Sequence, residues 1–211
     1  MKKFFRPVFF PIALFLPLLG EDCQKSVEIA VPVATDIPFQ INSTNAVYSE
    51  VETVNFTAEV EKALAEARLN DEIIIDIKIE SVVYTITQNT SAPNTFLSGL
   101  LRVGPENLND SQSANLLGQL NNVDLNAIAG QEQAPALNSA GVTFLNDKLK
   151  NAIISKNEPG IFKAFIDGQV SPAPPPNLAF RLTAKVNLTV VVLELEKVEF
   201  FGGCSNPFQS E

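Results

Sequence analysis

Residues 178–199, LAFRLTAKVNLTVVVLELEKVE, restrict the fold more than any other stretch of this chain. In one register Leu178, Phe180, Leu182, Ala184, Val186, Leu188, Val190 and Val192 are all apolar. In the other, Arg181, Thr183, Lys185, Asn187 and Thr189 are polar, until Val191 and Leu193 break the pattern. Strict period-two alternation puts one set of side chains on a core and the other in water, which is a β-strand. A helix would scatter the same residues around its circumference. At about 3.3 Å per residue the strand is far longer than the usual five or six residues, so a bend or bulge is expected within it.

The rest of the chain reads mostly in the same period. Val27, Ile29, Val31 and Val33 alternate with smaller or polar residues, and Pro32 marks an edge strand because it cannot donate to a ladder. Residues 46–58 form a second strand, in which the apolar positions change phase between Val51 and Val54, the sign of a bulge. Residues 59–69 switch to helical spacing, with Val60, Ala63, Leu64 and Ala67 on one side. In 72–87, Ile73, Ile75, Ile77 and Ile79 share a face, and the phase slips at Ser81 before Val82, Tyr84 and Ile86. Residues 95–103 read as a strand returning as its hairpin partner, and 121–128 as a short strand. Residues 104–119 are polar and Asn-rich and carry no assignable pattern.

Residues 138–154 form a second helix with Phe144, Leu145, Leu149, Ala152 and Ile153 along one stripe and Asn138 or Ser139 as cap. A strand over 161–170, the stiff SPAPPPN connection and the long strand then suggest an antiparallel pair. About seven strands and two helices make a mainly β chain at the margin of α+β. The expected architecture is an antiparallel β-sandwich with long strands and two packed helices. No linker divides it, so residues 21–211 are expected to form a single domain.

The N-terminus reads differently. Lys2, Lys3 and Arg6 precede an apolar run that ends at Leu18, Leu19 and Gly20, the layout of a secretory signal peptide over 1–20. The run is too short to span a bilayer and is interrupted by Pro11 and Pro17. The expected location is outside the cytoplasm, in a periplasm, a cell envelope or the extracellular space of a bacterial type of cell. No transmembrane segment is expected after cleavage.

Cys23 and Cys204 are the two cysteines. A lipidated Cys23 would follow small neutral residues, whereas Glu21 and Asp22 precede it, so an outer-membrane lipoprotein is the less favoured reading. A Cys23–Cys204 disulfide suits an oxidising compartment. By loop-closure arithmetic, a bridge around so large a loop contributes about 4–5 kcal/mol, less any native strain.

With 24 acidic against 15 basic residues and no histidine, several chemistries recede. A net charge of −9, with no basic cluster, disfavours nucleic acid. Without His, the usual general base and zinc ligand are missing. No Gly-x-Ser-x-Gly is present, and Ser98-Gly99 has nothing to activate it. Asp71, Glu72, Asp76 and Glu80 lie close in sequence, but the last three read as the wet face of a strand. Glu106, Asn107, Asn109 and Asp110 share a polar loop without the spacing of a calcium site. The Asn-x-Ser/Thr triplets at Asn42, Asn55, Asn89, Asn109 and Asn187 read as incidental.

No catalytic, cofactor-binding or metal-binding residue is therefore assigned, and no cofactor is expected. What remains is apolar. Val190, Val191, Val192 and Leu193 are apolar on both faces of the long strand and are the candidate lining of an apolar-ligand cavity; the plainer reading has a helix, 138–154, covering the outer face. The expectation is a non-enzymatic binding or structural module with a protein or envelope partner. A carrier of a lipid or other apolar ligand is the alternative.

Overall fold

A computed structural model describes residues 24–43, 45–69, 73–91, 93–172 and 178–197. Residues Val27–Glu194 form one compact unit, which carries the architecture described below.

The strands are β1 (Gln24–Ser43), β2 (Val47–Asn55), β3 (Ile73–Thr87), β4 (Phe96–Pro105), β5 (Asn115–Asp124), β6 (Glu132–Gln133), β7 (Ala136–Leu137), β8 (Ile161–Ser171) and β9 (Leu178–Lys197). Two helices, α1 (Phe56–Glu66) and α2 (Ser139–Ile153), interrupt them. The strands form two antiparallel sheets packed as a β-sandwich, in the orders β1-β9-β3-β6 and β2-β8-β4-β5-β7. Between the sheets lies the apolar set that the alternation selects. Val31, Val33, Ile37, Phe39 and Ile41 come from β1, and Phe180, Leu182, Ala184, Val186, Leu188, Val190 and Val192 from β9, all buried.

β9 runs as one strand, and the irregularities lie in its partner. The β3–β9 register shifts between Ile74 and Asp76 and between Ile79 and Ser81. The second shift is the slip expected at Ser81. The first corrects the expected shared face of the four isoleucines. An extra residue at the bulge leaves Ile77 and Ile79 buried, while Ile73 and Ile75 are 56% and 40% exposed.

Two strand partnerships differ from expectation. β4 does not return on β3; it joins the other sheet between β8 and β5. β8 and β9 also lie in different sheets, so the proline-rich segment joins sheets and closes no hairpin. Period two specifies a strand and its buried face but carries no information about its neighbour.

α1 begins earlier than its helical spacing suggested. The Asn55 side chain accepts a hydrogen bond from the Ala58 N–H at 3.1 Å, capping the helix and ending β2. Phe56, Val60 and Leu64 form its buried stripe, and Phe56 meets Phe162 edge to face at 5.7 Å. Asn138 caps α2 through the Gly141 N–H, as expected. Gly141 allows this helix to approach β5 so closely that a Cβ there would overlap the Leu116 carbonyl. On its other side α2 meets β3, where Asn146 accepts from the Ile79 N–H at 3.2 Å and Lys150 pairs with Asp76 at 2.8 Å.

In β2 the expected bulge is absent. Its register with β8 is continuous from Val47↔Gln169 to Asn55↔Ile161. The phase change between Val51 and Val54 has another meaning: Val51 points outward and is 50% exposed. Glu50 and Glu52 occupy the inward register, in line with the buried Tyr48 and Val54. Within residues 104–119 lie a single 3-10 turn, Ser111–Ser113, and the start of β5.

Candidate functional site

The sequence-derived site residues fall in three places. Cys23 and Cys204 lie outside the described residues. Val190 and Val192 are fully buried between the sheets. Val191 and Leu193 are half-buried on the opposite face, where they pair with Asp76 and Ile73. With exposed Ile73 and Ile75 they make a small apolar group on the outer face of the four-stranded sheet. Between the sheets, a void of about 10 Å³ borders Phe56, Leu117, Leu145 and Phe162, room for roughly one water.

The more developed feature was not read from the sequence. On the outer face of the five-stranded sheet, β2, β8, β4 and β5 form an open concavity of about 340 Å³. Two cross-strand rows build it. Val47, Gln169 and Ser98 stand opposite one another, as do Ser49, Asp167 and Leu100, and directly opposed residues share a face. Asn121 closes one side, next to Asn122, whose backbone takes a left-handed φ of 48° and whose N–H is accepted by the Ser98 hydroxyl at 3.0 Å.

The row between these two faces inward and explains the local geometry. Tyr48, Gly168 and Gly99 are opposed in sequence across three strands. The Tyr48 ring lies over both glycines, donates to the Ser98 carbonyl at 3.3 Å and packs edge to face on Phe180 at 6.0 Å. Burial, followed by the nearby Asp167 carboxylate, pushes the Tyr48 phenol far above its ordinary value. It therefore remains a neutral donor.

Asp167 carries the electrostatics of the concavity. Ser49 donates to its Oδ1 at 2.6 Å. Its Oδ2 is shut off from solvent and has no hydrogen-bond partner, a state that costs a carboxylate stability. The lining contains no cationic side chain. Hydroxyl, amide and carboxylate groups beside Val47 and Leu100 suit a donor-bearing group on an apolar stem.

A second, larger groove of about 510 Å³ runs between α1 and the end of α2, with Thr57, Glu61, Ile153, Lys156 and Glu158 along it. Its charges are mixed, and Glu158 is already paired with Lys148 at 2.7 Å.

The other polar candidates are occupied by local structure. Asn109 accepts from Lys163 at 2.8 Å, and Asp110 caps the 3-10 turn through Gln112 and Ser113. The Ser113 hydroxyl, then the Gln112 N–H, hold Asp110 below the usual carboxylate range. Asp76 is engaged with Lys150 and Glu80 with Lys78; Asp71 and Glu72 lie outside the described residues. Among the described residues no three or more acids or cysteines gather as a metal site. No helix there is long and apolar enough to cross a membrane.

No protein-family model matches this chain, and no curated protein sequence does. Solved structures give distant likenesses. One chain of "Structure of Turnip Yellow Mosaic Virus at 100 K" is 9% identical, with a TM-score of 0.32, over 84% of this chain and 98% of that one. A chain from the Desmodium yellow mottle tymovirus structure is 11% identical, with a TM-score of 0.31, over 92% and 99%. At these TM-scores the likeness carries no argument about function.

Proposed function

We propose that this chain is a non-enzymatic binding module of an exported protein, and that the concavity on the outer face of β2, β8, β4 and β5 is its contact surface. The observation that carries the reading is Asp167. Its carboxylate, held on one oxygen by Ser49 and lining an open concavity beside exposed Val47 with no cationic side chain around it, is the charge a partner can complement. The matching partner chemistry is a hydrogen-bond donor or cation on an apolar stem, such as a protein side chain, and not an anionic polymer. Export rests on the signal-like N-terminus of the sequence.

The test places a photoreactive residue at Val47, and separately at exposed Lys78 on the other sheet, in the producing cells. A discrete adduct at Val47, absent at Lys78 and reduced by Asp167→Asn, is the expected result. Equal labelling at both positions, or none at Val47, overturns the reading.

A carrier of an apolar ligand is the second reading. It is favoured by the outward group Ile73, Ile75, Val191 and Leu193, because the void between the sheets is too small for such a molecule. Extra mass in a native spectrum of protein from its own cells, lost on Ile73→Ser with Ile75→Ser, would place this reading first.

A further inference from the structure

The two sheets end in strands whose outer backbone groups must be protected, since an unpaired edge is a template for another chain. β3 has α2 beside it, with Asn146 accepting from the Ile79 N–H, and β6 pairing at Tyr84 and Thr85. β5 is followed in its sheet by the two-residue β7. β1 carries Pro32 and Pro38, each lacking an N–H. Among the described residues, β2 has none of these devices. It stands at the end of its sheet, runs for nine residues without a proline, and is in unbroken register with β8. Its outward face exposes Val47 at 66% and Val51 at 50%. By length, regularity and side-chain content it is a strand ready to pair.

What distinguishes β2 is its inward register. Glu50 and Glu52 lie opposite Ile166 and Ala164, which are 0% and 3% exposed core residues. Both carboxylates remain partly accessible at the rim of the sandwich. We propose that β2 is a latent pairing edge for a second copy of this chain, kept single by the inward-facing carboxylates Glu50 and Glu52. A second β2 added antiparallel by two-fold symmetry would bring its own two carboxylates into the same rows. Four like charges would then meet about 5 Å apart across strands while losing water. Inward-pointing charge on an edge strand makes such an addition unfavourable at only a small cost to the isolated fold. Burial, followed by Glu52, already holds the Glu50 carboxyl above its ordinary value, in line with this rim position.

The experiment compares the full chain with E50V/E52V and with E50K/E52K by sedimentation at matched concentration. The valine pair is expected to at least double the weight-average mass, whereas the lysine pair, which keeps like charge on the edge, sediments as the unmodified chain does. With Val51→Cys added, the associated valine variant should cross-link between copies; with Lys78→Cys it should not. An unchanged mass for the valine pair, association of the lysine pair, or cross-linking that ignores position 51 each overturns the proposal. Should the valine pair lose its near-ultraviolet dichroism, E50Q/E52Q replaces it and is read the same way.

Discussion

Gly168 and Gly99 show how much of this fold rests on side chains that are absent. A Cβ at Gly168 would overlap the Tyr48 hydroxyl and the Ser98 carbonyl. The first obstacle is a buried ring wedged on Phe180 and the second is backbone, so neither can yield cheaply. Gly168→Ala should therefore destabilise the chain by about 1–3 kcal/mol, the usual range for overpacking a filled interior. Denaturant unfolding checks this as a lower midpoint with an unchanged slope. Nothing in the sequence singles out either glycine for this role, because the ring that needs their space comes from a strand 50 or more residues away. Val190 to Leu193 were legible in half. Alternation identified Val190 and Val192 as core, and they are fully buried. What stands outside Val191 and Leu193 depended on a bulge in β3 that only the pairing reveals.

Among the elements, β2 departs most from its sequence reading. Apolar phase suggested a bulge, which would have kept Val51 inward. The unbroken ladder to β8 instead turns Val51 out and Glu50 and Glu52 in. This arrangement has a measurable cost. With its folded-state carboxyl raised by burial and by Glu52, Glu50 favours the fold only in its protonated form. That contribution is complete below the ordinary value of 4.5 and is lost as pH rises through the raised one. Glu50→Gln should thus be slightly more stable than the unmodified chain at neutral pH, by less than about 1 kcal/mol given solvent screening. The difference should fade as pH drops below 4.5. Thermal unfolding of both proteins across that interval measures it; a gain that persists in acid would show that lost packing, not ionisation, governs the site. The helices were read more closely. Asn138 caps α2 as its position suggested, whereas α1 starts at Phe56 because Asn55, within an apparent strand, caps it.

Across the whole molecule, protection should follow sheet position. β9 lies between β1 and β3, and β8 between β2 and β4, so residues 186–190 and 164–166 should hold the slowest-exchanging amides. The two-residue strands β6 and β7 should exchange fastest. Hydrogen exchange read by mass spectrometry checks this; amides of β2 as slow as those of β8 would contradict its place at an edge. The strand-rich class, the two helices and the buried face of the long strands are all written in local sequence. Side-chain alternation and helical spacing are properties of consecutive residues and need no partner to be read. Long-range packing places β4 and β8 with β2 and β5, and β9 with β1 and β3. It alone turned Glu50 and Glu52 toward the rim and gathered Val47, Ser98 and Asp167 around one concavity. Those arrangements come from pairing between residues far apart in the chain, and the local period is silent about which strands will meet.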